Sequence, residues 1–148
     1  MATVRFATAV DFAHPPSVAF RYLVEPRNRP EWQASLLSVR LDDKSEAPHP
    51  GMRWRDTTMA GVKPHMEITE LKPFRLFSEQ GRWRGVTGIL TLRFVATPTG
   101  SRVVAEGAIH GSGVWSAPAR AAGALARRSI RSDLKRADRV LTDRGPRE

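Results

Sequence analysis

The stretch APARAAGALARRSIRSDLKRADRVL, residues 117–141, decides the fold. Placed at the angular step of a helix, Ala119, Gly123, Ala126, Ile130, Leu134, Ala137 and Leu141 fall on one narrow stripe. Arg120, Arg127, Arg128, Arg131, Lys135 and Arg139 lie on the flank beside it. Ser116 is placed to cap this helix and Pro118 sits in its first turn, where no amide donor is needed. At about 1.5 Å per residue the helix runs roughly 35 to 40 Å, enough to cross a small domain. Its stripe is graded, small in the first half and branched in the second. It therefore seals a sheet firmly near Ile130 to Leu141, and near Ala119 to Ala126 it either approaches closely or leaves empty space.

What precedes the helix supplies the sheet. Val4, Phe6, Thr8, Val10 and Phe12 alternate with Arg5, Ala7, Ala9 and Asp11, the period of a strand with one buried face. His14-Pro15-Pro16-Ser17 stops that strand and opens a short helix with Val18, Ala19, Tyr22 and Leu23 inward. Glu25-Pro26 ends it, and Pro30-Glu31-Trp32 starts a second short helix or turn before strand-like Leu36, Leu37, Val39 and Leu41. Turn signals then recur at Ala60-Gly61, Lys72-Pro73, Gly81, Gly85 and Pro98-Thr99-Gly100. They bound strands expected at 52–59, 64–71, 75–83, 87–97 and 101–114. The connections are too short for crossovers, so all seven strands are expected to be antiparallel. Ala60-Gly61 and the Gly81 to Gly85 segment are candidate flexible mouths.

Composition bounds the function. A chain of 148 residues, 41% hydrophobic and 26% charged, fits one globular domain, 1–148. No cysteine is present, which excludes disulfides, thiol nucleophiles and cysteine-ligated metals. No apolar run reaches membrane-spanning length and no leader pattern opens the chain, so a cytoplasmic location is expected. The net charge of +9 comes from 24 basic residues of which all but four are arginine, scattered along the chain. Such a bias fits either phosphate recognition or a GC-rich coding sequence, and charge alone speaks to solubility rather than fold.

The order of one strand, two short helices, six strands and a long helix resembles the START/SRPBCC superfamily, the helix-grip fold of birch-pollen-allergen-like proteins. Within it the chain looks like the polyketide cyclase/dehydrase branch. The residues carrying the likeness are Ala13-His14-Pro15-Pro16 with Val18 and Leu23, Glu25-Pro26 to Pro30-Glu31-Trp32, Gly51-Met52-Arg53, Ile68-Thr69-Glu70-Leu71-Lys72-Pro73 and Gly100-Ser101-Arg102-Val103. Many relatives carry Gly-Thr-Arg at the last site and two prolines after Lys72. The resemblance implies an α+β helix-grip fold: a seven-stranded curved antiparallel sheet, two short N-terminal helices, and one long C-terminal helix across it. It also implies a ligand held between the concave sheet face and the helix. Strand alternation then nominates Trp54, Met66, Ile68, Trp83, Leu90, Leu92, Phe94 and Ile109 as lining, closed by Ala126, Ile130 and Leu134. The same residues could instead fill a plain core, and a slip of one residue inverts a strand.

Polar candidates are few. Glu70 shares a face with Met66 and Ile68 if its strand is regular, as an acid or base, or else it pairs with Arg53 or Arg55. Tyr22 can donate its hydroxyl to a ligand or simply pack. His110 adjoins Gly111-Ser112-Gly113, which is not a nucleophile elbow; the glycines suggest a bulge. His65 and Glu67 share a strand face, but a third ligand is lacking and no metal site is expected. No phosphate-cradling loop appears, so no cofactor is expected either. Arg127, Arg128, Arg131, Lys135 and Arg139 form a basic ridge that can track phosphates, or a solvated face partnered by Asp133 and Asp138. The ridge lacks aromatic interleaving, which argues against nucleic acid.

Three functions follow. The first is binding of a hydrophobic or polycyclic small molecule, lipid- or polyketide-like. The second is a cyclase or dehydratase, for which the family supplies no transferable triad. The third is RNA or membrane-surface interaction through the terminal helix. Convergent polar groups in the cavity, Tyr22, Glu70 or His110 among them, favour catalysis, and an apolar lining favours carriage. A homodimer is left open.

Overall fold

The computed structural model describes residues 1–145. Among them, β1 (Ala2–Phe12) leads to α1 (Pro16–Leu23), a 3-10 turn at Pro26–Asn28 and α2 (Arg29–Trp32). The strands β2 (Leu36–Leu41), β3 (Arg53–Thr58), β4 (His65–Lys72), β5 (Leu76–Trp83), β6 (Val86–Thr97) and β7 (Gly100–Gly111) follow, and α3 (Ser116–Arg144) ends the chain. The seven strands form one antiparallel sheet in the order β1-β7-β6-β5-β4-β3-β2. Chain order is broken only by β1, which pairs with β7. This is the helix-grip architecture that the element order implies.

The stripe on α3 faces the sheet: Ala119, Gly123, Ala126, Leu134 and Ala137 are buried, and Ile130 and Leu141 are half-buried. The graded stripe resolves into both of its expected consequences at once. Toward β1 and β7 the first half packs closely, since a Cβ on Gly123 falls 2.4 Å from Val4 Cβ and one on Gly111 falls 2.2 Å from the Trp115 carbonyl. Toward β5 and β6 the same half leaves a cavity. Gly123→Ala should therefore destabilise the fold by about 1–3 kcal/mol through overpacking, although alanine is the better helix former by about 1 kcal/mol. A rise in the urea midpoint would contradict this contact.

Below Ile130 the core is solid. Phe12, Leu23, Met52, Trp54, Ile68, Phe77 and Val103 are almost fully buried. Phe20 of α1 joins them through edge-to-face contacts with Phe94 and Phe74, at 5.3 and 5.6 Å between ring centres.

Several local expectations are corrected. Ser116 does not cap α3; its hydroxyl donates to the Gly111 carbonyl, and Trp115 occupies the cap position. The glycines near His110 make no bulge, because β7 pairs in continuous register with both neighbours. Gly111 serves the close approach of α3 instead. Two residues of the basic ridge are tied down, Arg127 Nε donating to the Ala7 carbonyl at 3.1 Å and Arg131 Nη1 to the Ala9 carbonyl at 2.7 Å, while Arg128, Lys135 and Arg139 stand exposed. These two arginines occupy the unpaired edge of β1, which blunts it against strand addition. Asp133 and Asp138 do not partner the ridge. They accept from the backbone amides of Ala34 and Ala13 on the opposite flank. No helix of the described residues is long and apolar enough to cross a membrane.

Candidate functional site

A cavity of about 440 Å³ lies between the sheet and α3. One end is set by the β5–β6 hairpin, where Trp83 meets Trp115 edge to face at 5.8 Å and Ser112 N donates to the Gly85 carbonyl. The other end lies under α2, where Asp133 of α3 accepts from Ala34 N. Strand register orders the sides: Trp83 opposes Val86, Gly81 opposes Gly88, and Glu79 opposes Leu90. The hairpin end and the sides are apolar.

Of the residues nominated from strand and helix periodicity, Met66, Trp83, Leu90, Leu92, Ile109, Ala126, Ile130 and Leu134 line this cavity. Trp54, Ile68 and Phe94 belong to the solid core beside it. They are correctly inward, but the sheet is filled at their level. Gly88 lines the cavity with nothing within 4 Å of where its Cβ would stand.

The α2 end is charged, and none of its residues was nominated. Arg29, Asp56 and Glu79 are 4%, 3% and 4% exposed. Arg29 Nη1 donates to both Glu79 oxygens at 3.1 Å, Nη2 to Asp56 Oδ2 at 2.7 Å and Nε to Asp56 Oδ1 at 3.3 Å. Trp54 Nε1 donates to Asp56 Oδ1 at 3.0 Å, and its ring lies 5.2 Å from the guanidinium. Gln33 and Asp133 complete the polar lining. Each local structure explains its residue. Arg29 opens α2 just before Pro30, Asp56 follows inward Trp54 by two, and Glu79 precedes inward Gly81 and Trp83 on β5.

One guanidinium faces two carboxylates, so the buried cluster carries an excess negative charge unless a proton is held. Burial pushes the Glu79 carboxyl up; Arg29 pulls it down and Asp56 pushes it up again, leaving it raised. Burial also raises Asp133, against the Ala34 amide and the charges of Arg136 and Arg29. Arg29 keeps its charge, because Glu79 and Asp56 more than offset the cost of its burial. A carboxyl raised on folding binds its proton more tightly in the folded state. Its stabilising contribution is full below the ordinary glutamate value of 4.5 and is lost as pH rises through the raised value. Urea midpoints of wild type should thus fall relative to Glu79→Gln as pH rises above 4.5; a pH-independent difference would contradict the assignment.

The polar candidates read from sequence lie elsewhere. Glu70 is exposed and 3.7 Å from Lys72, because the pairing of β4 with β5 shifts between Ile68 and Glu70 and turns Glu70 outward. Arg53 pairs with Glu67 instead, and Arg55 donates to the Lys63 carbonyl. The Tyr22 hydroxyl donates to Glu31 at 3.0 Å, and burial with this partner raises its pKa. His110, between inward Ile109 and Gly111, bonds Thr3 on the outer face at 2.8 Å. His65 and Glu67 line a smaller polar recess with Asp42, Arg53, Gln80 and Arg82. Among the described residues no three His, Cys, Asp or Glu side chains are grouped to hold a metal.

Comparison with known proteins agrees with this geometry. Residues 3–142 match the family described as "Polyketide cyclase / dehydrase and lipid transport". Protein MLL2253 from Mesorhizobium loti is 19% identical, with a TM-score of 0.74 over 97% of this chain and 99% of that one. Ara h 8.0201 is 13% identical, with a TM-score of 0.75 over 96% and 99%. The di-domain ARO/CYC StfQ from the steffimycin biosynthetic pathway is 15% identical, with a TM-score of 0.72 over 97% of this chain and 52% of StfQ. At such identities these structures speak to the fold alone. No curated protein matches the chain. With a match that takes in nearly its whole length, the chain belongs to the polyketide cyclase/dehydrase and lipid transport family, whose members support a hydrophobic ligand-binding or cyclase role.

Proposed function

We propose that this protein binds a hydrophobic or polycyclic small molecule, lipid- or polyketide-like, between its sheet and α3. The observation that carries this reading is the cavity itself: about 440 Å³, with apolar sides and a charged end. Its size falls in the range of small-molecule sites, which join an apolar lining to a few placed polar groups. A plain core would not leave Gly88 facing open space. The ligand-lining role belongs to Met66, Trp83, Leu90, Leu92, Ile109, Ala126, Ile130 and Leu134, with α3 as the closing wall.

A second reading, cyclisation or dehydration, is supported by Glu79. A buried carboxyl with a raised pKa can give its proton to a departing hydroxyl, while a neighbouring carboxylate takes one from the adjacent carbon. The cavity would supply the folding of the chain. The two readings part on whether the ligand leaves unchanged. Both are tested by mass analysis of what the purified protein carries, and a protein that neither carries nor takes up an apolar molecule would overturn both.

A further inference from the structure

Antiparallel pairing brings the β3–β4 hairpin (59–64), the β5–β6 turn (84–85) and the 112–115 connection to one end of the sheet. The last two are joined: Ser112 N donates to the Gly85 carbonyl, and the Arg84 guanidinium lies 4.6 Å from the Trp83 ring and 5.9 Å from that of Trp115. The hairpin is pinned, because Thr58 donates both its amide and its hydroxyl to the Val62 carbonyl, at 3.0 and 2.8 Å. It leaves Met59 69% exposed, and the connection leaves Val114 85% exposed. Leu125, three residues beyond cavity-lining Ala122 on α3, is 63% exposed. One exposed aliphatic is ordinary, but three around one end ask for a partner.

Charge says which. Arg55, Lys63, Arg82 and Arg84 are exposed on these segments and the strands that lead to them, and no Asp or Glu occurs within 57–66, 80–105 or 107–132. Register sets Arg55 opposite His65 and His65 opposite Arg82, a basic row with no carboxylate in it. We infer that this end of the protein docks on an anionic lipid surface, Met59, Val114 and Leu125 entering the headgroup layer and the four cations meeting its phosphates. Such binding grows with buried apolar area and with attraction to anionic lipid together, and both are offered here. Nucleic acid fits less well, since aliphatic side chains give bases no ring to stack on. A protein partner would want one contiguous apolar core, whereas these side chains stand on three separate elements, which a fluid surface accommodates. Docking here goes beyond ligand binding and stands whether or not the cavity is filled; it uses none of the ridge on α3.

Cosedimentation of the full chain with phosphatidylcholine vesicles, with and without phosphatidylglycerol, tests this. Wild type should bind the mixed vesicles at least about tenfold more tightly than phosphatidylcholine alone, and added salt should weaken that binding. Lys63→Gln with Arg82→Gln should cost about fivefold for each charge removed. Met59→Ser, Val114→Ser and Leu125→Ser together should cost about tenfold or more on mixed vesicles. All three positions are exposed, so the urea midpoint should stay close to that of wild type. Arg128→Gln with Arg139→Gln, on the ridge, should cost clearly less than the Lys63 and Arg82 pair. No binding to either vesicle, or equal binding to both, would overturn the inference, as would a ridge variant that loses more than the Lys63 and Arg82 variant. Binding that survives the three serines and is displaced by single-stranded RNA would mark a general polyanion patch and overturn it too. Uptake of pyrene by the same protein without vesicles reads the container separately, so either result can fail alone.

Discussion

Arg29→Met should cost about 3–5 kcal/mol of unfolding free energy, the largest loss expected from any single substitution at the site. The guanidinium holds two carboxylates that are themselves almost fully buried, and it does so with all three nitrogens. Removing it leaves Asp56 and Glu79 facing each other across apolar surroundings with no counter-charge. Breaking a buried pair on one side is far more costly than replacing the whole group. The triple variant Arg29→Met, Asp56→Asn, Glu79→Met should accordingly recover most of the loss, since the asparagine retains an acceptor for Trp54 Nε1. For a chain of this size each kcal/mol moves the melting temperature by roughly 2–4 °C. A drop under about 1 kcal/mol in urea denaturation would mean that the cluster is wetter than its burial indicates.

The second large effect concerns binding rather than stability. Gly88→Leu should abolish uptake of an apolar ligand, with affinity falling by about two orders of magnitude or more, while the fold keeps its stability within about 1 kcal/mol. Space is open where the new side chain enters, and the strand pairs Gly88 with Gly81 on one side and Ile109 on the other. Leucine adds apolar burial and removes a glycine from a strand interior, both of which favour the folded state. A variant that folds normally and binds within a few fold of wild type would place the ligand outside this cavity. Equilibrium titration with a polycyclic probe, beside a urea melt, reads both quantities.

These two residues show where sequence reading works and where it stops. The alternation that puts Trp54 and Trp83 inward also puts Asp56 and Glu79 inward, two and four residues away. The signal for both carboxylates was present, but a lone acidic residue in a strand looks like its outer face until a counter-charge is known. That counter-charge comes from Arg29, 27 residues before Asp56 and 50 before Glu79, in a turn-rich segment with no periodicity of its own. Glu70 fails for the converse reason. It sits at an inward position by strict alternation, and one irregularity after Ile68 turns it out and brings Leu71 in. The α3 stripe was legible because 29 helical residues average out local exceptions. The cavity beneath it was legible only as one of two alternatives, and in the structure the small residues give close packing on one flank and empty space on the other.

Native mass spectrometry of the purified protein, followed by solvent extraction, decides whether the cavity holds an apolar ligand. One apolar adduct per chain is expected, and none from Gly88→Leu. A clean apo mass, with no uptake from a panel of sterols, fatty acids and polyketides, would contradict it.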